Sequence, residues 1–321
     1  MSVESHEGQL PASLATALEE FELEFTYPLG DGCRFRISHG ADYLRFFRAM
    51  GEASLVTVSG YGRIHGSIAR VKRHVILKRE SDRNPEVLPC HYLGDLKVRA
   101  DSRGGSVLAR LFRETKRQIL ASDTHACYGV VMGGTGRLPT DYTGRLGVPV
   151  FANLAEITIL RLSAGNGVIG SSGCAAVTTD ELRTVVEQLG VPGYRCFPLA
   201  DAARSQMVPL HLVTGDDGAC GTLEDTRQAK RLFRDSGEEM VSAHLSSFQY
   251  RNPEAAGELL RDAVERARAA DCPAVFVAVP QGKMAELRPF LGTLEVTEAP
   301  ATVYGVNIEG ETDWWIDTAE I

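Results

Sequence analysis

No apolar run in this 321-residue chain approaches the ~18 residues of a membrane-spanning helix; the best, Ala274-Val275-Phe276-Val277-Ala278-Val279, has the length of a strand. Met1 to Glu20 holds neither the basic start nor the apolar stretch of a secretory signal, so a cytoplasmic protein with no membrane partner is expected. Positive charge is scarce. Thirty-four Lys and Arg against 42 Asp and Glu leave a formal net charge of −8, which disfavours nucleic acid as a partner. Seven cysteines lie scattered at 33, 90, 127, 174, 196, 220 and 272 without one Cys-x-x-Cys. Disulfide frameworks and zinc ribbons need closer pairing, and Cys90-His91 is adjacent rather than spaced for one ion, so no metal is expected.

What is present is ordinary for a folded soluble protein: 44% apolar and 24% charged residues. The length suits two domains of the usual ~100–200 residues. Ser163 to Gly173, rich in Gly and Ser and without periodicity, is the best linker candidate. After it Thr178 and Glu181 make a capping box, Leu182, Val185, Val186 and Leu189 form an apolar stripe, and Gly190 closes the helix.

Upstream, the pattern predicts a strand over 34–38, a short helix over 42–50 and a hairpin of 54–59 with 63–77. Strand 91–99, helix 106–121, strand 127–132, a helix near 137–146 and strand 154–162 follow. Downstream, strand 240–248 precedes a helix capped by Asn252 with Pro253 at its first position, then strand 274–279, a helix near 283–291 and strands 301–308 and 313–317. Strand to strand across the helix is 127 − 92 = 35 residues in one half and 274 − 240 = 34 in the other. Equal order and spacing suggest one α/β fold used twice.

The stretch "YLGDLKVRADSRGGSVLARLFRETK" carries the chemistry. A strand ends at Val98, and a helix opens near Ser106 with Arg103-Gly104-Gly105 before it. Amides bared at a helix N-terminus bind anions, and glycines let the backbone approach the ligand. No Gly-Lys-Ser/Thr follows, so this is not a P-loop, and it lacks the Gly-x-Gly-x-x-Gly of dinucleotide binders.

These residues resemble motif A of the GNAT superfamily of N-acyltransferases, in which a strand ending Leu-x-Val leads to Arg/Gln-x-x-Gly-x-Gly/Ala and a helix. Leu96-Lys97-Val98 stands for the strand end and Arg103-Gly104-Gly105-Ser106-Val107-Leu108 for the loop, with Ser106 and Leu108 departing from the family's small residues. The resemblance spans about residues 30–162, and "ATVYGVNIEGETDWWIDTAEI" looks like the last strands of a second such domain. It implies an α/β fold of two tandem GNAT-like domains, each a mostly antiparallel mixed sheet flanked by helices. The expected division is an N-terminal tail 1–24, an acyl-CoA-binding domain 25–163, a linker 164–177 and a degenerate second domain 178–321. The turn 247–254 of that second half has no glycine, loses an amide at Pro253 and adds Glu254, so no phosphate is expected there.

What the resemblance implies for function is transfer of an acetyl or short acyl group from acetyl-CoA (acyl-CoA) to a small-molecule or peptide amine. Leu96, Val98, Arg103, Gly104, Gly105, Ser106, Val107 and Leu108 would hold the cosubstrate, and the strand would splay from 127–132 to admit the thioester. Strict alternation puts Tyr92, Gly94, Leu96 and Val98 on one face and His91, Leu93, Asp95 and Lys97 on the other. Members of the family often carry a base at the level of Tyr92 and Gly94; neither is a carboxylate, so the candidate bases are Glu156 first, on a strand flanking the acceptor, and Asp95 second. Candidate acids are Tyr92, Tyr128 and Tyr142. The alternative is a non-catalytic acyl-CoA-binding or interaction module, and the second half is expected to wall the acceptor cleft or hold a homodimer.

Overall fold

The computed structural model describes every residue except 31–32, 146, 166–172, 198–201 and 311. The middle of the expected linker therefore lies outside the described residues. In the first half the strands are β1 (Ser2–Glu7), β2 (Tyr27–Gly30), β3 (Cys33–Ser38), β4 (Glu52–Gly60), β5 (Arg63–Lys78), β6 (Glu86–Val98), β7 (Cys127–Met132) and β8 (Ala152–Ser163). Its helices are α1 (Ala12–Glu22), α2 (Leu44–Arg48), α3 (Val107–Leu120) and α4 (Pro139–Tyr142). The second half has β9 (Ala175–Val177), β10 (Gly193–Phe197), β11 (Leu210–Val213), β12 (Ala219–Glu224) and β13 (Arg231–Arg234). It continues with β14 (Ala243–Tyr250), β15 (Val275–Pro280), β16 (Glu295–Val306) and β17 (Trp314–Trp315), with helices α5 (Thr179–Leu189), α6 (Pro253–Ala269) and α7 (Met284–Leu287).

Among the described residues, fourteen strands form one mixed sheet in the order β1-β4-β5-β6-β7-β16-β8-β15-β14-β12-β11-β9, with β10 and β17 attached through β5. The halves exchange strands. β16, from the second half, pairs with β7 over Ala301–Val306, and β8, from the first, pairs with β15 over Ile157–Leu162. A boundary near 164–177 divides the sequence but not the sheet. The short sheet β13-β3-β2 also joins the halves.

Among the described residues a short parallel pair recurs at the matching place in each half, His91↔Cys127 and Tyr92↔Tyr128 in the first and Ala243↔Val275 and His244↔Phe276 in the second, and β10 also runs parallel to β17. The strand β6 lines up with β14 as "YLGDLKVR" on "HLSSFQYR", and both bulge at the fourth residue, Asp95 and Ser247, each with φ 52°. A bulge inserts one residue and switches the faces beyond it. Strict alternation along 91–98 is therefore corrected. Leu93, Leu96 and Val98 pack toward α3, while Tyr92 lies in the core on the opposite face, where Lys97 reaches Glu22 of α1.

Other expectations change too. Residues 1–24 are not a tail: β1 pairs with β4 over its whole length, and Leu18 and Phe21 of α1 are fully buried, because an edge strand and an apolar stripe gain more from packing than from solvent. The helix near 137–146 shrinks to Pro139–Tyr142, ending before Gly144, whose φ is 75°. Two arginines of β5, Arg70 and Arg73, are buried. Two large cores result, each drawing residues from both halves, and Trp314 and Trp315 face opposite ways into them. None of the described helices is long and apolar enough to cross a membrane.

Candidate active site

The helix α3 is anchored by Val107, Leu111 and Phe112, which pack on Val56, Val58 and Ile68 of the sheet. This apolar stripe fixes where its N-terminus points. Ser106 makes no side-chain cap; its hydroxyl instead accepts from Arg110 Nε at 3.2 Å. Arg103 to Ser106 are exposed, Gly104 holds φ 79°, and a Cβ there would meet nothing within 4 Å. Among the described residues no protein acceptor meets the amides of Ser106 to Ala109. Arg103 Nε donates to the Val98 carbonyl at 3.4 Å, which draws its guanidinium to the strand end. The result is a bared helix terminus between two arginines, chemically suited to an anion.

Beside this terminus β6 and β7 part. Gly129 marks the apex: a Cβ there would lie 2.6 Å from the Leu93 carbonyl, so only glycine lets the strands meet so closely. Beyond it Leu93 to Leu96 and Gly129 to Met132 are half-buried, whereas the paired His91, Tyr92, Cys127 and Tyr128 are buried. The corresponding gap of the second half is filled. Residues 314–320 are buried there: Ser247 N donates to Asp317 Oδ1 at 2.6 Å, Thr318 Oγ1 donates to the Phe276 carbonyl at 3.1 Å, and His244 Nδ1 lies 3.0 Å from Thr318 Oγ1. Except for Ser247 and Phe276, every residue of β14 and β15 is buried. One gap is open and its counterpart is plugged by the chain itself.

A buried ionic network lines the face of the open gap opposite α3. Lys97 Nζ lies 3.0 Å from Glu22 Oε1 and 2.7 Å from Asp95 Oδ1, His39 Nδ1 lies 2.6 Å from Glu22 Oε1, and the Tyr43 hydroxyl donates to Asp95. Burial alone would raise the Asp95 and Glu22 carboxyls. Lys97, then His39, hold Asp95 below its usual range, and His39, then Lys97, do so for Glu22. Glu22, His39 and Asp95 are close enough to share a cation, but the Lys97 ammonium already bonds two of them.

A second cluster adjoins it. Arg73 and Arg204 both grip Glu320, at 2.6 and 3.5 Å, and Arg204 also pairs with Glu224. Lys230 donates to the Ile321 carbonyl and sits over the Phe46 ring; burial, then Arg204, lower its ammonium to about 7. None of these partners is signalled locally, because α1, α2 and the C-terminal segment meet β6 only in three dimensions.

The sequence candidates fall out as follows. Leu96 and Val98 edge the open gap, and Arg103, Gly104, Gly105, Ser106, Val107 and Leu108 form the terminus beside it. Asp95 sits at the bulge. Tyr142 stacks on Phe112 of α3 at 6.1 Å, half-buried, with burial first pushing its phenol up to about 12. Tyr92 and Tyr128 are buried away from it: the Tyr92 hydroxyl donates to the Glu320 carbonyl at 3.0 Å, and the Tyr128 hydroxyl lies 3.7 Å from Cys196 Sγ. Glu156 is exposed, accepts from Asn153 and Thr302, and is separated from β7 by β16. A bulge at Leu154 turns that leucine into the first-half core, away from Glu156.

The sequence matches no protein-family model and no curated protein. In shape the chain is similar to N-myristoyltransferase of Saccharomyces cerevisiae with bound myristoyl-CoA, at TM-score 0.62 and 10% identity over 97% of this chain and 79% of that one. A structure of the same enzyme with bound myristoyl-CoA and inhibitors aligns at 0.65 and 10% identity, over 100% and 84%. A tandem GNAT protein from the clavulanic acid biosynthesis pathway, without AcCoA, aligns at 0.53 and 12% identity, over 95% and 98%. At these identities the likeness is one of fold.

Proposed function

From a chain with the tandem GNAT-like fold, we propose an N-acyltransferase whose first half binds acyl-CoA and whose acceptor is an amine, small or at a peptide end. The observation that carries this reading is the contrast of the two gaps: the one beside a bared helix terminus is open, and the one without such a terminus is filled. The neighbour's bound myristoyl-CoA supports acyl-CoA as cosubstrate.

In this reading the diphosphate rests on the amides of Ser106 to Ala109, and the pantetheine arm runs along Leu96 and Val98. The amine nitrogen attacks the thioester carbonyl carbon as its proton passes to Asp95, directly or through one water. Backbone N–H at the Asp95 bulge faces the oxyanion that forms. The C–S bond then breaks, and Tyr142, protonated throughout the neutral range, gives its proton to the leaving thiolate. Attack is direct: burial raises the Cys90 and Cys127 thiols to about 12, which leaves neither as a ready nucleophile.

Geometry favours Asp95 over Glu156 as base, since Asp95 lies at the open gap and Glu156 lies beyond β16. Asp95→Asn keeps a residue tolerant of positive φ and is expected to lower turnover by ~10²–10⁴-fold with CoA affinity retained, as loss of a general base does. Glu156→Gln is expected to match wild type. The assay is thiol release over an amine library, alongside calorimetry, where Gly105→Asp should abolish the single CoA site by placing a carboxylate against the phosphates. Undiminished CoA affinity in Gly105→Asp would move the site elsewhere. A second reading, a binding module without catalysis, draws on the grip of Lys97 and Tyr43 on Asp95; CoA binding with no thiol release and no effect of Asp95→Asn would favour it.

A further inference from the structure

We infer that the first half selects an acyl chain of about four to six carbons through an apolar cavity behind the apex of the open gap, an inference that rests on the acyl-CoA reading above. The cavity holds about 80 Å³ and is lined by Leu93 and Cys127 with Phe112, Ile119, Phe151 and Val306. Leu93 is the first β6 residue beyond the last parallel pair, Tyr92↔Tyr128, and Cys127 precedes that pair by one residue, so the cavity adjoins the place where a thioester would stop. Its wall is mainly apolar, since Ile119, Cys127, Phe151 and Tyr304 form one buried cluster with Leu93, Val131 and Val306 packed against it, while Lys116, His125 and Asn307 also line the cavity.

The opposite route is shut. On the α1 and α2 face, Tyr92 and Tyr128 pack at 5.4 Å, Trp314 packs tilted against Tyr128 at 5.0 Å, and the Tyr92 ring fills the space a Cβ at Gly94 would take. An acyl chain longer than acetyl therefore turns toward α3. An apolar cavity of about 150 Å³ takes one benzene, six carbons; a volume near half of that takes about three. With the carbonyl carbon and the next carbon still in the gap, the chain that fills the cavity is butyryl to hexanoyl. A larger hollow of about 340 Å³, lined by Met207 to Leu210, Leu223 and Arg266, lies open on the second half away from either gap and has no part in this.

The test is calorimetric binding of CoA, acetyl-CoA, butyryl-CoA, hexanoyl-CoA and decanoyl-CoA, which needs no acceptor. Each methylene buried should tighten binding roughly fourfold, so butyryl-CoA should bind about tenfold or more tighter than acetyl-CoA, with the gain ending by decanoyl-CoA. Ile119→Phe, which fills the cavity, should erase the butyryl gain and leave acetyl-CoA affinity in place. Ile119→Ala, which enlarges the cavity instead of filling it, should extend the preferred chain by one or two carbons. Equal affinity across the series in wild type, or a length preference unmoved by Ile119→Ala, overturns the cavity inference while acyl-CoA binding stands. Failure of every CoA species to bind overturns the acyl-CoA reading itself, and the cavity inference with it.

Discussion

Asp95 and Ser247 occupy the same place in the two halves, and what meets each separates an open gap from a closed one. The Ser247 amide is bound by Asp317, a carboxylate whose own acidity is displaced: burial first, then the Glu320 carboxylate, raise it from 3.8 to about 7. Between those values the unfolded chain has lost this proton and the folded chain still holds it, so the group's contribution to stability falls as pH rises, by up to about 1.4 kcal/mol per unit. Below 3.8 the contribution is intact; above about 7 it is gone. Asp317→Asn keeps an acceptor for the Ser247 amide and removes the titration. The expected outcome is a variant that gains on wild type from pH 4 to 7 and runs parallel to it above, measured by urea unfolding at each pH. Parallel curves throughout would mean that Asp317 titrates like an exposed carboxyl.

At the scale of elements, α3 and β6 form a unit whose two ends do different jobs. Its N-terminal turn bares amides because Ser106 leaves them uncapped, while its apolar stripe locks the helix against β4 and β5. Lys97 ties β6 to α1 by standing between Glu22 and Asp95, with its side chain only 2% exposed. Replacing it with Met leaves two buried carboxylates without their shared cation. A loss of about 3–5 kcal/mol is expected from breaking one partner of a buried pair, largely recovered by adding Glu22→Gln and Asp95→Asn. Chemical denaturation of the single and triple variants measures this. A Lys97→Met protein as stable as wild type would show the network to be solvated.

For the molecule as a whole, the exchanged strands make the halves interdependent. Without β16, β7 has an unpaired edge; without β8, β15 has one. Residues 1–165 and 174–321 expressed separately are therefore expected to be insoluble or unfolded by circular dichroism, and to recover structure when co-expressed. The full chain should melt in one cooperative transition. A first half that folds and melts cooperatively alone would mean that β16 adds cover rather than a necessary partner. The C-terminal segment adds to this dependence, since Glu320 joins Arg73 of β5 to Arg204 of the second half.

Local order was legible because its causes are local. The capping box of Thr178 and Glu181, the αL Gly190 at φ 49°, the Asn252 cap with Pro253, and the 3.6-residue stripe of α3 are interactions within a few residues, and each lies where its side chains and periodicity put it. Equal spacing of strands across the helix likewise carried the tandem fold, since repeated order survives when identity does not. The face of Asp95 was out of reach to alternation, because a bulge is a two-strand event: β5 offers one residue where β6 offers two. Gly94-Asp95, with an aspartate that tolerates positive φ, is its only local trace. The strand exchange, the plug in the second gap and the partners of Lys97 belonged to tertiary structure alone, because a buried charge selects its counter-charge by proximity in space, and Glu22 and Asp95 stand 73 residues apart in the chain but meet at one ammonium.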